Sequence, residues 1–558
     1  MQGNEIRLGY ETMLSEQSVV QSTWETINKL IVPFRGGFWR ENSNETSIDW
    51  HDQRGIFDST APMANNLLAS SIHSALTNPA YQWFDIVFRD PEVAKKQRVM
   101  QWSQEATRAC YHALQDSNFD LEANEVYLDL PSYGTGFIIQ EEVTKNGTFE
   151  ELNFQSVPLK EALFEEDHLG QVSKFYRQYR WTAVQIESKF GRKGLPDKIA
   201  QLLTTNQAAV TKHKVTFCIY PRHTKADNKD SFQKLSPLER PYGYKYILHD
   251  SAEQLGEEGG YYEMPAYVPR WRKTNQSKYG NSPGMIALPD ILTVNRLVEL
   301  ILKATEKVVD PANLVTERGL LSNLDLQPSG MSIVRDLDRS VKPYESRARF
   351  DVSQLQREKL QQSINQIFYV DQLQLKESPA MTATEVQVRY ELMQRLLGPT
   401  FGRMKSDFLN PLVERTFKIL YRSGQIDNIP EEAMTDDGIP RLDIVYTGPM
   451  ARAQRSEKMN DAFGWVGQMA QIAGMHPSLE PILDHVNADA FAVDTAASAS
   501  ISAALLNDKK TVDKIRQGRT QQQQVAQMQQ AGEAAKAVGE GAQAVETAEG
   551  GQDVEATE

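Results

Sequence analysis

The side chains best equipped for chemistry do not converge in this sequence. His476, Glu480 and His485 come nearest to a ligand set, but their spacing matches no zinc pattern and the other histidines are scattered. Gly134-Thr135-Gly136 lacks the third glycine of a dinucleotide fingerprint, and no GxxxxGK[ST] loop occurs, so those glycines read as turn formers. HExxH is also missing. Cys110 and Cys218 are too few for a disulfide framework and fit buried thiols in a reducing compartment. The run KHKVTFCIYPRHTKADNKD from Lys212 is locally basic and holds His213 and His223. Its interspersed acids favour a solvated hairpin over a nucleic-acid face. Nothing here specifies covalent catalysis, nucleotide hydrolysis, a metal or a cofactor.

Bulk properties narrow the classes further. A net charge of −14 excludes a broad basic surface that neutralises phosphates, so any contact with DNA is local or fleeting. The 558 residues exceed what one core supports, and roughly two to four domains or subdomains are expected. The polar start MQGNEIRLGYETMLSEQ has no apolar stretch of the kind a signal peptide needs, and no run of about 18 apolar residues occurs, so a soluble protein is expected.

The elements that must position any function are mostly helical. Met13, Val20, Trp24, Ile27 and Ile31 mark a first helix over 5–32, and Met63, Leu67, Leu68, Ile72 and Leu76 a second that closes at Asn78-Pro79. Two more helical patterns lie between 91 and 130. From 150 to 270 short strands (TFEELNFQSV, VSKFYRQYRW, KVTFCIYPRH, YGYKYILHD, YYEMPAYVPR) surround one helix at 182–191, an α+β region. ALPDILTVNRLVELILKATEKVV then carries a wide apolar face, with Pro289 expected in its first turn and Asp310-Pro311 as its end. Turn-rich sequence fills 312–350, and DVSQLQREKLQQSINQIFYV gives a polar helix with a thin apolar stripe. From Ser378 to Leu420 a capping box (Thr382, Glu385) opens a long helix, with breaks expected at Gly398-Pro399 and Asn410-Pro411 and a stop at Ser423-Gly424. Further helix is expected within 440–510, and beyond about 515 the Gln-, Ala- and Glu-rich composition is too poor in apolar bulk to order.

Several long blocks, in one order, resemble the head-to-tail connector (portal) proteins of short-tailed, T7-like bacteriophages. They are FDSTAPMANNLLASSIHSALTNPAYQWF from Phe57, LPSYGTGFIIQEE from Leu130, KYGNSPGMIALPDILTVNRLVELILKATEKVVDPANLV from Lys278, and MTATEV followed by RLLGPTFGRMKSDFLNPLVERTF from Met381. The resemblance runs from near residue 20 to about 450. It implies a mainly α fold with α+β parts, assembling into a dodecameric ring with a central channel. Its parts would be a wing (1–286), stem helices (287–309 and 351–370), a clip (310–350), a tunnel loop (371–381), a long wing helix with its connection (382–440) and a crown (441–514), before a disordered acidic tail (515–558).

The same resemblance implies a non-enzymatic virion component at the portal vertex, assembled in the host cytoplasm. Its partners would be double-stranded DNA, the terminase large subunit, a tail adaptor, the major capsid and scaffold proteins and internal core proteins, with no membrane and no cofactor. Gln372, Gln374 and Lys376 would face the channel, unless Lys376 is merely solvated or paired with Glu377. Arg335, Arg339, Lys342, Arg347 and Arg349 would lie in the clip, either meeting the motor or adaptor or balancing Asp336, Asp338 and Glu345. The competing readings are a nucleic-acid-processing enzyme of the packaging machine and a capsid scaffold without a channel.

Overall fold

The computed structural model describes residues 1–35, 55–94, 96–145, 148–192, 195–204, 208–222, 235–274, 277–309, 313–315, 341–343, 350–373, 396–433, 442–447, 449–475 and 511–522, with isolated positions from 486 to 524. The chain divides into two compact units. One comprises Met1–Arg89 with Glu105–Ala453, the other Asp90–Gln104 with Gln454–Glu558.

The first unit begins with α1 (Gly3–Leu30), whose Glu5 carboxylate accepts from the Gln2 N–H at 2.9 Å and so satisfies one orphan donor of the helix start. After it in the chain come α2 (Thr60–Leu76) and β1 (Phe84–Phe88), then α3 (Pro91–Ala94) and the start of α4 (Gln97–Asp116), which belong to the second unit, and, back in the first, the rest of α4 and α5 (Phe119–Tyr133). At α2 the Asp58 carboxylate accepts from the Thr60 N–H at 3.0 Å, as the sequence allowed.

The α+β region holds β2 (Ile138–Lys145), β3 (Thr148–Ser156), β4 (Ala162–Glu166), β5 (Val172–Thr182), α6 (Ala183–Phe190), α7 (Asp197–Leu202), β6 (Lys212–Pro221), β7 (Tyr242–Leu248), β8 (Glu253–Tyr261) and β9 (Ala266–Tyr267). Strands β4 to β8 form an antiparallel meander in chain order, and β3-β2-β9 a second sheet. Alternation puts Tyr176, Cys218, Tyr220 and Ile247 on one meander face, where Ile6, Tyr10 and Met13 of α1 cover them. The other face carries Tyr179, Trp181 and Tyr246. Lys189 of α6 sits 4.5 Å from the Tyr246 ring centroid and donates to its hydroxyl, and burial pushes this amine's pKa down. The outer edge of β3 is blunted by Asn118, whose side-chain amide pairs with the Phe154 N–H and C=O, each at 2.8 Å.

Two strands depart from the sequence reading. β4 and β8 were not expected, because β4 is short and EQLGEEGGY offers one β-branched or aromatic residue at its very end. Conversely, YYEMPAYVPR is no single strand. It contains the end of β8, a bend, and the two residues of β9.

The remaining elements are α8 (Pro283–Val309), β10 (Asn313–Val315), β11 (Val341–Pro343), α9 (Phe350–Ile367), α10 (Val370–Leu373), a long helix α11 over 396–423, β12 (Leu442–Tyr446) and α12 (Pro449–Met475). β10 and β11 pair antiparallel, as do β1 and β12. Helix α8 starts earlier than the sequence suggested. Ser282 accepts the Met285 N–H at 3.0 Å and Pro283 takes the first position, which leaves Pro289 inside the helix.

Helix α11 corrects the expected breaks. Residues 396–404 are helical straight through Gly398-Pro399. At the second proline the helix opens into a π-turn, Lys405–Leu409, in which the Asn410 N–H reaches back five residues to Lys405. That extra residue accommodates Pro411, which lacks an N–H and would crowd the preceding turn of a regular α-helix. The helix ends as expected, at Ser423 with Gly424 in the left-handed region (φ 79°). Its proposed opening at Thr382 and Glu385 lies outside the described residues.

Candidate functional site: the α8–α9 pair and the base of its loop

Two of the family-like blocks meet where α8 begins. Gly134 ends α5 with φ 82°, and its carbonyl oxygen accepts from the Trp271 N–H at 2.9 Å. Gly280 crosses it so closely that a Cβ on Gly134 would lie 2.2 Å from the Gly280 oxygen, and one on Gly280 would lie 2.1 Å from the Gly134 oxygen. Only two glycines allow the backbones to pass. Thr135 Oγ1 accepts the Gly280 N–H at 3.0 Å, and Ser282, besides capping α8, donates to the Ser132 carbonyl at 2.6 Å. The start of α8 is thereby bolted to the end of α5.

From that seat α8 extends 27 residues, about 40 Å at 1.5 Å per residue. Ser363, late in α9, donates to Asp290, early in α8, at 2.7 Å, so the helices run antiparallel with the β10–β11 pair connecting their far ends. Asn295 of α8 pairs with the chain just before α2, accepting from the Phe57 N–H at 2.7 Å and donating to the Gly55 carbonyl at 2.8 Å. Gln361 of α9 donates to Asp58 at 2.7 Å. Helices α2, α8 and α9 are therefore fastened to one another by polar side chains near the seat. Towards its far end α8 exposes Leu300 and Leu302.

At the near end α9 stops by a sharp reversal. Phe368 is fully buried, and Tyr369 takes φ 60° while its carbonyl accepts from the Gln372 N–H at 3.1 Å, opening α10. Left-handed backbone costs a non-glycine residue about 1–2 kcal/mol, and most for a β-branched side chain. Tyr369→Val is accordingly expected to lower stability by about 1–2 kcal/mol, whereas Tyr369→Asn, which tolerates this region, stays within about 0.5 kcal/mol of the parent in denaturant titrations.

Of the residues singled out from sequence, Gln372 is exposed on α10. Lys342 lies in β11, in register with Leu314. Gln374, Lys376, Arg335, Arg339, Arg347 and Arg349 lie outside the described residues, as do His476, Glu480 and His485. Sequence reasoning missed the charges that lock the frame. Buried Arg270 bridges Glu166 and Asp407, fixing the π-turn of α11 against the crossing strand, and Lys273 joins at Glu166. Buried Arg415 reaches Glu263 at 3.4 Å and Glu142 at 3.5 Å, with Arg422 on the same Glu263 at 2.7 Å.

A further lock gives a pH dependence. Glu258 joins β8 to its neighbours through Arg222 at 2.6 Å, Lys245 at 2.9 Å and the Tyr220 hydroxyl at 2.9 Å. Burial works against its charge, but these donors outweigh it and hold its carboxyl at about 2. An unfolded glutamate titrates near ~4.3, so the stabilisation is complete above that pH and is lost as pH falls through about 2. Glu258→Gln is expected to be less stable than the parent at pH 7. That deficit should shrink below pH 4 in urea titrations.

The bacteriophage head to tail connecting protein family matches residues 4–506, and the chain belongs to that family, one of structural connectors rather than enzymes. It is 27% identical over 527 residues to the probable portal protein of Bordetella phage BPP-1, spanning 92% of this chain and 90% of that one. It is 26% identical over 537 residues to the portal protein of Salmonella phage epsilon15, spanning 93% and 92%. Among the described residues no helix is long and apolar enough to cross a membrane.

Proposed function

We propose that the chain is a portal subunit: copies close head to tail into a dodecameric ring at one capsid vertex, and double-stranded DNA passes the central channel inward during packaging and outward during ejection. The observation that carries this reading is the family match over residues 4–506, with 90% and 92% of the two relatives covered. The architecture fits it. Helices α8 and α9 form the stem, 310–350 the clip at their far end, and 371–381 the tunnel loop at the reversal after Tyr369. The wing is residues 1–286 with the 382–440 segment. The crown is the part of 441–514 that follows β12, since that strand pairs with β1 of the wing.

A channel wall must let phosphates slide. The exposed positions of α9 suit that, since Gln354, Gln356, Gln362 and Gln366 are neutral and Glu358 and Lys359 offset one another. Neutral amides neither repel DNA over a Debye length nor hold its phosphates. The clip, with Arg335, Arg339, Lys342, Arg347 and Arg349, docks the terminase large subunit and later the tail adaptor. The wing meets capsid and scaffold proteins, and the crown meets internal core proteins.

Electron microscopy of the purified full chain tests the ring directly. Closed rings with a central hole are expected, and a monodisperse monomer at every protein and salt concentration would sink the reading. Lys376→Ala tests the loop. Rings should form normally, while packaged genomes become shorter or leak; unchanged genome length and retention would remove Lys376 from the channel.

A further inference from the structure

Helix α12 is built in a way the described residues around it do not explain. From Ala462 to Met475 it carries no charge, yet none of residues 459–474 is buried. The half-exposed positions Met459, Ala462, Val466, Met469 and Ala473 recur at alternating spacings of three and four, the seam that faces a helix's own partners. Beside the seam Phe463 packs edge-on against Phe491 at 5.4 Å. Trp465 and Ile472 fall outside the seam and remain 45% and 37% exposed. Gly467 and Gly474 lie on another side again, and a Cβ at either would meet nothing within 4 Å. Glycine inside a helix costs stability relative to alanine, and among the described residues no contact requires it.

The two sets match in spacing and oppose one another in direction. Trp465 and Ile472 are seven residues apart, as are Gly467 and Gly474, so each pair lies on one line along the helix. At 3.6 residues per turn the glycine line sits about 200° round from the bulky line, on nearly the opposite edge. Phe463, 51% exposed, also lies on the glycine side, where it turns to Phe491; that residue apart, projections on one edge and equally spaced notches on the other make the helix complementary to its own neighbour in a head-to-tail arrangement. The same edge set against itself would meet bulk with bulk.

We propose that α12 joins adjacent copies of this chain edge to edge, with Trp465 and Ile472 of one copy seated over Gly467 and Gly474 of the next. The inference rests on the ring reading above and adds the contact that closes one level of it. The occupant is a second copy because cyclic assembly repeats this helix beside itself at one height, and because the uncharged surface offers nothing to phosphate or to a charged partner. Glycine lets the two backbones approach closely enough for the indole to lie across the neighbouring helix.

Cysteine pairing in assembled full-length rings tests it, since Cys110 and Cys218 are both buried. Trp465→Cys with Gly467→Cys should give a ladder of covalent multimers on oxidation, extending towards the complete ring. Either substitution alone should give none. Rings without a ladder in the double variant, or with equal ladders in the single ones, overturn the contact while the ring reading stands. An unsubstituted chain that never forms rings removes both. As a second arm, Gly467→Leu with Gly474→Leu fills the notches where the chain itself has space. Folding by circular dichroism should be unchanged and the ring fraction should fall at least tenfold; an undiminished ring fraction overturns the proposal.

Discussion

Gly134→Ala is expected to cost about 2–5 kcal/mol of folding stability, although it adds one methyl group. Two terms contribute. The backbone at φ 82° disfavours any side chain, by about 1–2 kcal/mol. The new Cβ would also lie 2.2 Å from the Gly280 oxygen, a backbone atom that cannot rotate away, and overpacking of that kind costs about 1–3 kcal/mol. Gly424→Ala separates the terms, because Gly424 has φ 79° and nothing within 4 Å. It should show the conformational cost alone. If the two variants lose equal stability in urea titrations, the crossing is not tight. Because the crossing seats α8, Gly134→Ala should also impair ring formation, which Gly424→Ala should leave intact.

The second large effect is expected at Arg35. Its guanidinium donates to Asp129 through Nε at 2.8 Å and Nη2 at 2.6 Å, and it also pairs with Glu125 and donates to the Glu125 carbonyl at 3.0 Å. Burial disfavours the cation, but Asp129 and Glu125 more than compensate, so its pKa is raised further. Asp129 is fully buried, and burial acts to raise its pKa while Arg35 opposes that. Arg35→Met leaves this carboxylate without its cation and should cost about 3–5 kcal/mol. Adding Asp129→Asn should recover part of the loss, because the second change removes the stranded charge. Full loss in the double variant would mean that packing, not charge, carries the effect.

Much of this fold is legible in the sequence wherever one surface faces one core. Helices α1, α2 and α8 show themselves through Trp24, Leu68 and Val294 at helical spacing, and β5 to β7 through runs of aromatic and β-branched residues. What stays hidden is pairing across distance. Gly134 reads correctly as a turn, but nothing near it announces Gly280 as the backbone it must admit. Nothing in the sequence singles out Arg270 or Arg415, and only the fold supplies Glu166, Asp407 and Glu263 to bury them with. The π-turn was half visible: Asn410-Pro411 marked a disturbance, and the sequence could not say that an extra residue would absorb it. The family was legible because long ordered blocks carry more information than any short motif, and the comparisons bear it out. Of the channel and clip residues, Gln372 and Lys342 lie among the described residues.

The pairing of β1 with β12 also sets a clock. Arg89 beside β1 meets Asp443 of β12 across 354 positions, so the ribosome must deliver most of the chain before this two-stranded sheet can close. Contacts so remote are formed late, after the loop-closure entropy between them has been overcome. Until then β1 carries an unpaired edge of alternating buried residues, Phe84, Ile86 and Phe88, the kind of surface on which nascent chains aggregate. Late closure would also hold back assembly, because a chain whose first unit is incomplete cannot enter a ring. Chains truncated before Leu442 should therefore accumulate as insoluble material rather than as short-lived soluble monomers.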